Sequence, residues 1–407
     1  IKIAAVDDQT VTFTLPNVLS SFPYHMTNGL IPEHILKDVQ PHELRAHPFN
    51  TLQPVGAGPF AWQKLEIAGE TPETREEQIA LRPFERYHAG KPKLSSFVIH
   101  AFHDADRLKR SFERHELTAA YFESVPERIA ADDNVVTNNF MLSAANMVFF
   151  RQGSPVFAEA QVRKALVQGA NTESILASLD YPTRPVRSPL LLGQLGYDKT
   201  LTQPAYDPAA AGASLEAAGW KVGSDGIRAK AGKSLRFTLW ASDTPEIKTV
   251  TQKLQEDWKR LGVQVEVRHA GGAELQRVVA THDYDALLYG TSIGVDPDVF
   301  VYWHSSQIDP RTNRLNFAEY NSKVADEGLE AGRTRNDPGL RAVKYRSFLQ
   351  AWQRDTPALG LYQPRYTYLT YGSVFGLSTK TINQDTDRYN TVHDWQIRQA
   401  PVTNMPR

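Results

Sequence analysis

The chain has 407 residues, 41% of them hydrophobic, with 45 Lys and Arg against 46 Asp and Glu and no cysteine. That length exceeds what one hydrophobic core usually supports, so two packed units are expected; a net charge of -1 argues against a surface that tracks phosphates or docks on anionic lipid, so nucleic acid is not an expected partner. Without cysteine there is no disulfide, thiolate metal site or cysteine nucleophile. No apolar run approaches the roughly 18 residues of a membrane span, so no membrane insertion by this segment is expected.

In chain order, the first element is a strand: in DQTVTFTLP, Val11, Phe13 and Leu15 fall on one face and Thr10, Thr12 and Thr14 on the other, the pattern of a half-buried strand. PVGAGPF (54–60) places Gly56 and Gly58 around a small residue, but a phosphate-binding loop needs a third glycine opening a helix, and the pattern predicts a tight turn feeding a strand. His100 and His103 have the spacing of two metal ligands on a helix face, yet they end the apolar run FVIHAFH, where a strand terminus is expected and no third ligand stands near. Residues 104–118 read as a solvated helix with charges of both signs.

Residues 207–289 are the most informative. Asp207 caps a helix with Pro208 at its first position and Gly219 past its end. LRFTLW (235–240) alternates as a strand. Thr244 or Asp243 caps a helix opening at Pro245, in which Val250, Leu254, Trp258 and Leu261 recur at helical spacing before Gly262 stops it. VQVEV (263–267) is a second strand, 273–281 a helix, and YDALLY (284–289) a third strand. This β-α-β-α-β alternation implies a parallel sheet in an α/β fold, with right-handed crossovers. Ligands of such sheets bind beyond the carboxyl ends of the strands, where ASDTP (241–245) and GTSIGVDP (290–297) emerge. The candidate ligand-binding residues are therefore Trp240, Ala241 and Ser242 from the first stretch and Thr291, Ser292, Ile293 and Gly294 from the second. Trp240 would supply a stacking wall, Thr291 and Ser292 hydroxyl donors, and Gly294 close backbone approach.

Asp296-Pro297 repeats the cap-plus-proline pattern of Asp207-Pro208, so Asp296 is expected to cap a helix through DVFVYWHSS. A calcium loop would need more oxygen ligands at alternate positions. KAGKS (230–234) lacks the glycine spacing of a phosphate-binding loop, and YGSVFG (371–376) that of a nucleophile elbow. No catalytic residues, metal ligands or cofactor emerge.

Six stretches in order resemble one family, the extracellular solute-binding proteins of the peptide and nickel importer type, family 5: PVGAGPF, FERYHAGKPKLSSFVI (84–99), VRKALVQGANTESIL (162–176), LEAAGW followed by DGIRAKAGKSLRFTLW, YDALLYGTSIGVDPDVF (284–300) and NFAEYNSKVADEGL (316–329). The resemblance implies a two-lobed periplasmic-binding-protein-like α/β fold of the class II, cluster C type. Its lobes would be 1–142 as the remaining part of the first, 143–370 as the second, and 371–407 as the return to the first. It implies a monomeric extracytoplasmic receptor, not an enzyme, that holds an oligopeptide or peptide-like small molecule in an interlobe cleft and delivers it to an ABC transporter permease. Two departures stand out. Peptide binders of the family carry an aspartate three residues before the Asp-Pro, where this chain has Ile293, so a metal chelate, an oligosaccharide or an opine-like conjugate stays open as ligand. The chain also starts at VDDQTVTFTLP inside the family's first lobe, so that lobe is expected to be incomplete and any lipid anchor to lie outside this sequence. Outside the family, a peptide hydrolase or a sensor domain are the alternatives.

Overall fold

The structure is a computed structural model describing residues 1–397 except 28, 72, 73, 123, 124, 180, 182, 313 and 379. The chain divides into two compact units, Ile1–Met26 with Ser143–Pro364, and Thr27–Leu142 with Arg365–Arg407; the last ten residues of the expected 371–407 segment lie outside the described ones. This differs from the expected division at two places. Residues 1–26 go with 143–364, because Ser20 donates to the Arg333 carbonyl from both its amide (2.8 Å) and its hydroxyl (2.9 Å), and Ser21 Oγ donates to Asp298 Oδ2 at 2.8 Å. The later boundary falls at Pro364 rather than 370, because the strand Arg365–Tyr371 pairs with Ala119–Tyr121 and Val135–Met141.

The first unit is built on a six-stranded sheet. Its strands are β1 (Ala144–Phe150), β2 (Arg184–Pro185), β3 (Arg236–Ser242), β4 (Gln264–Ala270), β5 (Ala286–Ser292) and β6 (Ala358–Gln363), in the order β4-β3-β5-β1-β6-β2. Strands β3, β4 and β5 are parallel, as the β-α-β-α-β alternation requires, with Arg236 opposite Gln264 and Leu239 opposite Ala286. The sheet as a whole is mixed: β1 lies antiparallel between β5 and β6. Strand β1 is the apolar run AANMVFF, buried on both faces. Met147 and Phe149 enter one hydrophobic core and Val148 and Phe150 the other, which is why it reads as continuous rather than alternating.

The longer helices of the first unit after β2 are α1 (Pro208–Ala217), α2 (Pro245–Arg260), α3 (Gly272–Thr281), α4 (Lys323–Arg333) and α5 (Pro338–Asp355). Local chemistry sets their ends. Asp207 Oδ1 accepts from the Ala210 amide at 2.8 Å, Thr244 rather than Asp243 accepts from Ile247, and Gly219 and Gly262 adopt φ of +88° and +77° just past α1 and α2. Val250, Leu254 and Trp258 of α2 pack into one core, whereas Leu275, Val278 and Val279 of α3 pack into the other with Tyr345, Phe348 and Trp352 of α5.

Three further expectations are corrected. The strand at Thr10–Thr14 exists and has Phe13 and Leu15 partly buried against exposed threonines, but Val11 is 56% exposed: the strand forms a two-stranded ribbon with Lys2–Asp7, and Phe13 meets Phe22 at 5.7 Å. The helix expected over 104–118 is Ala105–Glu113, ended by His115 at φ +58° with the Glu116 amide donating back to the Ser111 carbonyl. Strand β5 begins at Ala286 and runs on to Ser292, past the expected end at 289, because β1 pairs with it to the last residue.

The second unit contains two three-stranded sheets. One has the order Phe60–Ala68, Glu76–Pro83, Phe97–Phe102; the other has Ala119–Tyr121, Arg365–Tyr371, Val135–Met141. PVGAGPF is the turn entering Phe60–Ala68, and His100 and His103 fall at the end of Phe97–Phe102, outside any helix.

Candidate functional site

From β3 the chain goes out to β4, then returns across β3 to form β5 on its other side. Crossovers departing in opposite directions place α2 and α3 on opposite faces, and in open sheets of this order the ligand crevice is expected at the carboxyl ends of β3 and β5. Ser242, Ala270 and Ser292 end the three parallel strands. Ser143 and Gln363 join them at the same edge through the antiparallel partners.

The seven expected residues are brought to this edge but do not all face solvent. Trp240, Ala241 and Ser242 belong to strand β3 itself rather than to the loop beyond it. Trp240 is buried in one core with the Arg268 guanidinium 5.6 Å from its ring centre, and Ala241 is buried in the other. Ser242 is half-buried at the strand end, and Ser292 is exposed at the end of β5. Thr291 is turned inward, where its hydroxyl donates to the Ala145 carbonyl at 3.3 Å, and it is not an outward donor. Ile293 is 8% exposed and packs in the core, so its side chain is an internal anchor. Gly294 is half-buried and takes φ +79°.

The backbone here is held firmly. The amides of Ile293 and Gly294 both donate to the Ser143 carbonyl, at 2.8 and 3.0 Å, and Gln194 Nε2 donates to the Gly294 carbonyl at 2.9 Å. Tyr302 donates its hydroxyl to the Ser292 carbonyl at 2.7 Å; burial lifts this phenol above its ordinary pKa, so it stays a protonated donor. A methyl on Gly294 would meet no atom within 4 Å, so Gly294→Ala isolates the cost of the left-handed backbone. The expected loss is about 1–2 kcal/mol of stability, checked by urea unfolding against the wild type.

Charge at this edge is sparse and paired. Asp243 meets Lys248 at 2.5 Å, and that hydrogen bond holds its carboxyl below the ordinary range. His269 contacts Thr251 Oγ1 at 3.0 Å, and burial lowers its pKa, which keeps it neutral at pH 7. Glu246, in the first turn of α2, accepts from Tyr362 at 2.5 Å and from Tyr181 at 2.9 Å. Sequence reasoning missed this carboxylate, as it missed Gln194, Tyr302 and Ser143, because the partners lie 10 to 151 positions apart in the chain and no local pattern joins them.

Asp296 does not cap a helix. The helix there is the single turn Phe300–Trp303, with Val299 at its N-cap and no side-chain cap. Asp296 is buried and accepts both arms of the buried Arg341 guanidinium, each at 2.8 Å. Its neighbour Asp298 accepts from Ser21 Oγ and meets Arg333 at 3.0 Å. Both aspartates are structural counter-ions, and a paired general acid and base is excluded by their committed partners. Among the described residues, no group of three His, Asp or Glu is placed to hold a metal ion.

The family description "Bacterial extracellular solute-binding proteins, family 5 Middle" matches residues 1–310. Protein XP55 of Streptomyces lividans is 29% identical over 375 residues, which is 89% of this chain and 63% of that protein. The oligopeptide-binding protein AppA of Bacillus subtilis is 25% identical over 347 residues, 83% of this chain and 62% of its own length. The chain thus spans less than two thirds of either relative. Among solved structures, AppA of Bacillus subtilis in complex with a nonapeptide superposes with a TM-score of 0.75 at 23% identity, over 98% of this chain and 78% of that one. NikZ of Campylobacter jejuni in complex with Ni(L-His) does so with a TM-score of 0.80 at 22% identity, over the same shares. At these identities the structures establish a common fold, the α/β architecture of solute-binding proteins.

Proposed function

The chain belongs to the bacterial extracellular solute-binding proteins of family 5, and from that membership we propose that it is the ligand-holding part of an ABC importer's receptor, taking an oligopeptide or peptide-like solute at the carboxyl edge of the β3-β5 sheet and releasing it unaltered. One observation carries the reading. The edge combines a topological switch point with two small exposed or half-exposed positions, Ser242 and Ser292, on a backbone pinned by Ser143, Gln194 and Tyr302. A rigid edge with small side chains lets an extended peptide approach closely and be held through its main chain, so that its side chains are tolerated rather than read. In this reading Ser242, Ser292 and Gly294 face the ligand, whereas Trp240, Ala241, Thr291 and Ile293 support them from within. Peptide is favoured over a metal chelate, a sugar or an opine because AppA, similar both in sequence and in fold, is a peptide binder by name and by its nonapeptide complex. Delivery to a permease and an extracytoplasmic location follow from the same membership.

Incubation with a randomised nonapeptide pool followed by native mass spectrometry tests this. Retention of intact peptide is expected, reduced at least tenfold in Ser292→Arg with an unchanged melting temperature. Cleaved products would replace the receptor with a peptide hydrolase, and no retained peptide would refute peptide as the ligand class.

A further inference from the structure

A peptide at the β3-β5 edge brings a charged amino terminus, and most acceptors there are already committed. The Ser143 carbonyl accepts two amides, the Ser292 carbonyl accepts from Tyr302 and the Gly294 carbonyl from Gln194. Ile293 offers no charge, and its side chain is packed in the core. Of the two carboxylates that follow β3, Asp243 has Lys248 as its counter-ion. Glu246 has none. Its two oxygens accept from neutral phenols, Tyr362 at 2.5 Å and Tyr181 at 2.9 Å, and among the described residues it forms no ion pair. Burial, reinforced by the adjacent carboxylate, holds the Tyr362 phenol well above its ordinary pKa, so it stays a protonated donor. Two phenols orient a carboxylate without cancelling its charge, and since a carboxylate can accept about four hydrogen bonds, roughly two of its acceptor positions stay open. Glu246 is half-buried rather than enclosed, so those positions are within reach of a ligand.

The sheet sets its place. Glu246 lies in the first turn of α2, directly after β3, yet its partner Tyr362 stands on β6. Strands β5 and β1 lie between β3 and β6, a separation of about 14 Å at the usual strand spacing. The hydrogen bond therefore bridges β5 and β1 near the candidate edge: Tyr362 stands opposite Asn146, and Asn146 opposite Gly290, two residues before Ser292. We propose that Glu246 is the counter-charge for an ammonium group of the ligand, which in an extended peptide is the amino terminus. The proposal rests on the reading of this edge as the ligand site. An ammonium removed from water without a counter-charge is costly, whereas one that meets a pre-oriented carboxylate gains a charge-assisted hydrogen bond. Capture of the terminus fixes where the peptide starts and still leaves its side chains unread.

The test uses native mass spectrometry with three randomised nonapeptide pools built without Lys, Arg or His: one with a free amino terminus, one N-acetylated, and one N-acetylated with a single lysine added. The wild type is expected to retain the free-amine pool at least tenfold more than the acetylated pool, and Glu246→Gln, which keeps the shape and removes the charge, is expected to bring the two within twofold of each other. The wild-type comparison holds whatever the stability of the variant. Preferential retention of the lysine-bearing pool, likewise lost in Glu246→Gln, would support the same counter-charge with a side chain as the source of the ammonium. Equal retention of all three pools by the wild type, or a preference that survives Glu246→Gln, would overturn the proposal and leave the peptide-receptor reading standing. Retention of none of the pools would overturn both.

Discussion

Asp296→Ala is expected to lower the free energy of unfolding by about 3–5 kcal/mol, the cost of leaving one member of a buried ion pair without its counter-charge. Both carboxylate oxygens of Asp296 meet the Arg341 guanidinium at 2.8 Å, and both side chains are 7% exposed. Nε of Arg341 donates to the Gly332 carbonyl at 3.1 Å, which ties the loop after β5 to the last turn of α4. Without Asp296 the guanidinium keeps its charge but has no water to replace its partner. Urea unfolding followed by tryptophan fluorescence measures the loss, and a value below about 1 kcal/mol, ordinary for a helix cap, would refute the burial argument. The double variant Asp296→Leu with Arg341→Met is expected to recover most of the stability, because the costly state is the unpaired charge and not the absence of the pair. Asp298→Ala is expected to cost less: Arg333 is 24% exposed and lies 4.1 Å above the Phe300 ring, so it retains contacts and access to solvent.

Trp258→Ala is expected to cost a comparable amount, about 3–5 kcal/mol. Trp258 is fully buried at the centre of the core between α2 and the sheet. It packs on Phe237 at 5.6 Å and Phe150 at 6.5 Å, and its indole donates to the Leu166 carbonyl at 2.9 Å. Truncation removes the ring contacts and deprives that carbonyl of its donor. Trp258→Phe keeps a six-membered ring but loses the hydrogen bond and part of the packed volume, so its expected cost is smaller, about 1–3 kcal/mol. The same unfolding experiment separates the two, and equal losses would show that the hydrogen bond dominates the packing.

Much of the first unit was legible from residues 207–289. Asp207, Thr244, Gly219 and Gly262 act within a turn or two of themselves, and the spacing of Val250, Leu254 and Trp258 reports a helix face without knowledge of what lies against it. The six stretches that resemble family 5 pointed to the family that matches residues 1–310. The candidate edge was also legible, because parallel strands joined by helices leave their loops at one end. Side-chain direction at that edge was not. Thr291 and Ile293 stand in a stretch that reads as an open loop, yet β1 pairs with β5 down to Ser292 opposite Ala144 and draws both side chains into the interior. Asp296 was misread for a related reason: Asp followed by Pro is a sound local signal for a cap, and nothing nearby shows a guanidinium 45 positions further on.

By itself the sequence determined the quantities that act over a few residues: helix starts and stops, strand periodicity, the parallel alternation, and the recurrence of family motifs. Tertiary structure alone decided that residues 1–26 pack with 143–364, that an antiparallel β1 lies between β5 and β6, and which residues of the candidate edge face outward. The physical reason is that caps and turns are satisfied by neighbouring amides, whereas strand partners, counter-ions and core neighbours are chosen by burial between segments far apart in the chain. No short window of residues encodes that choice.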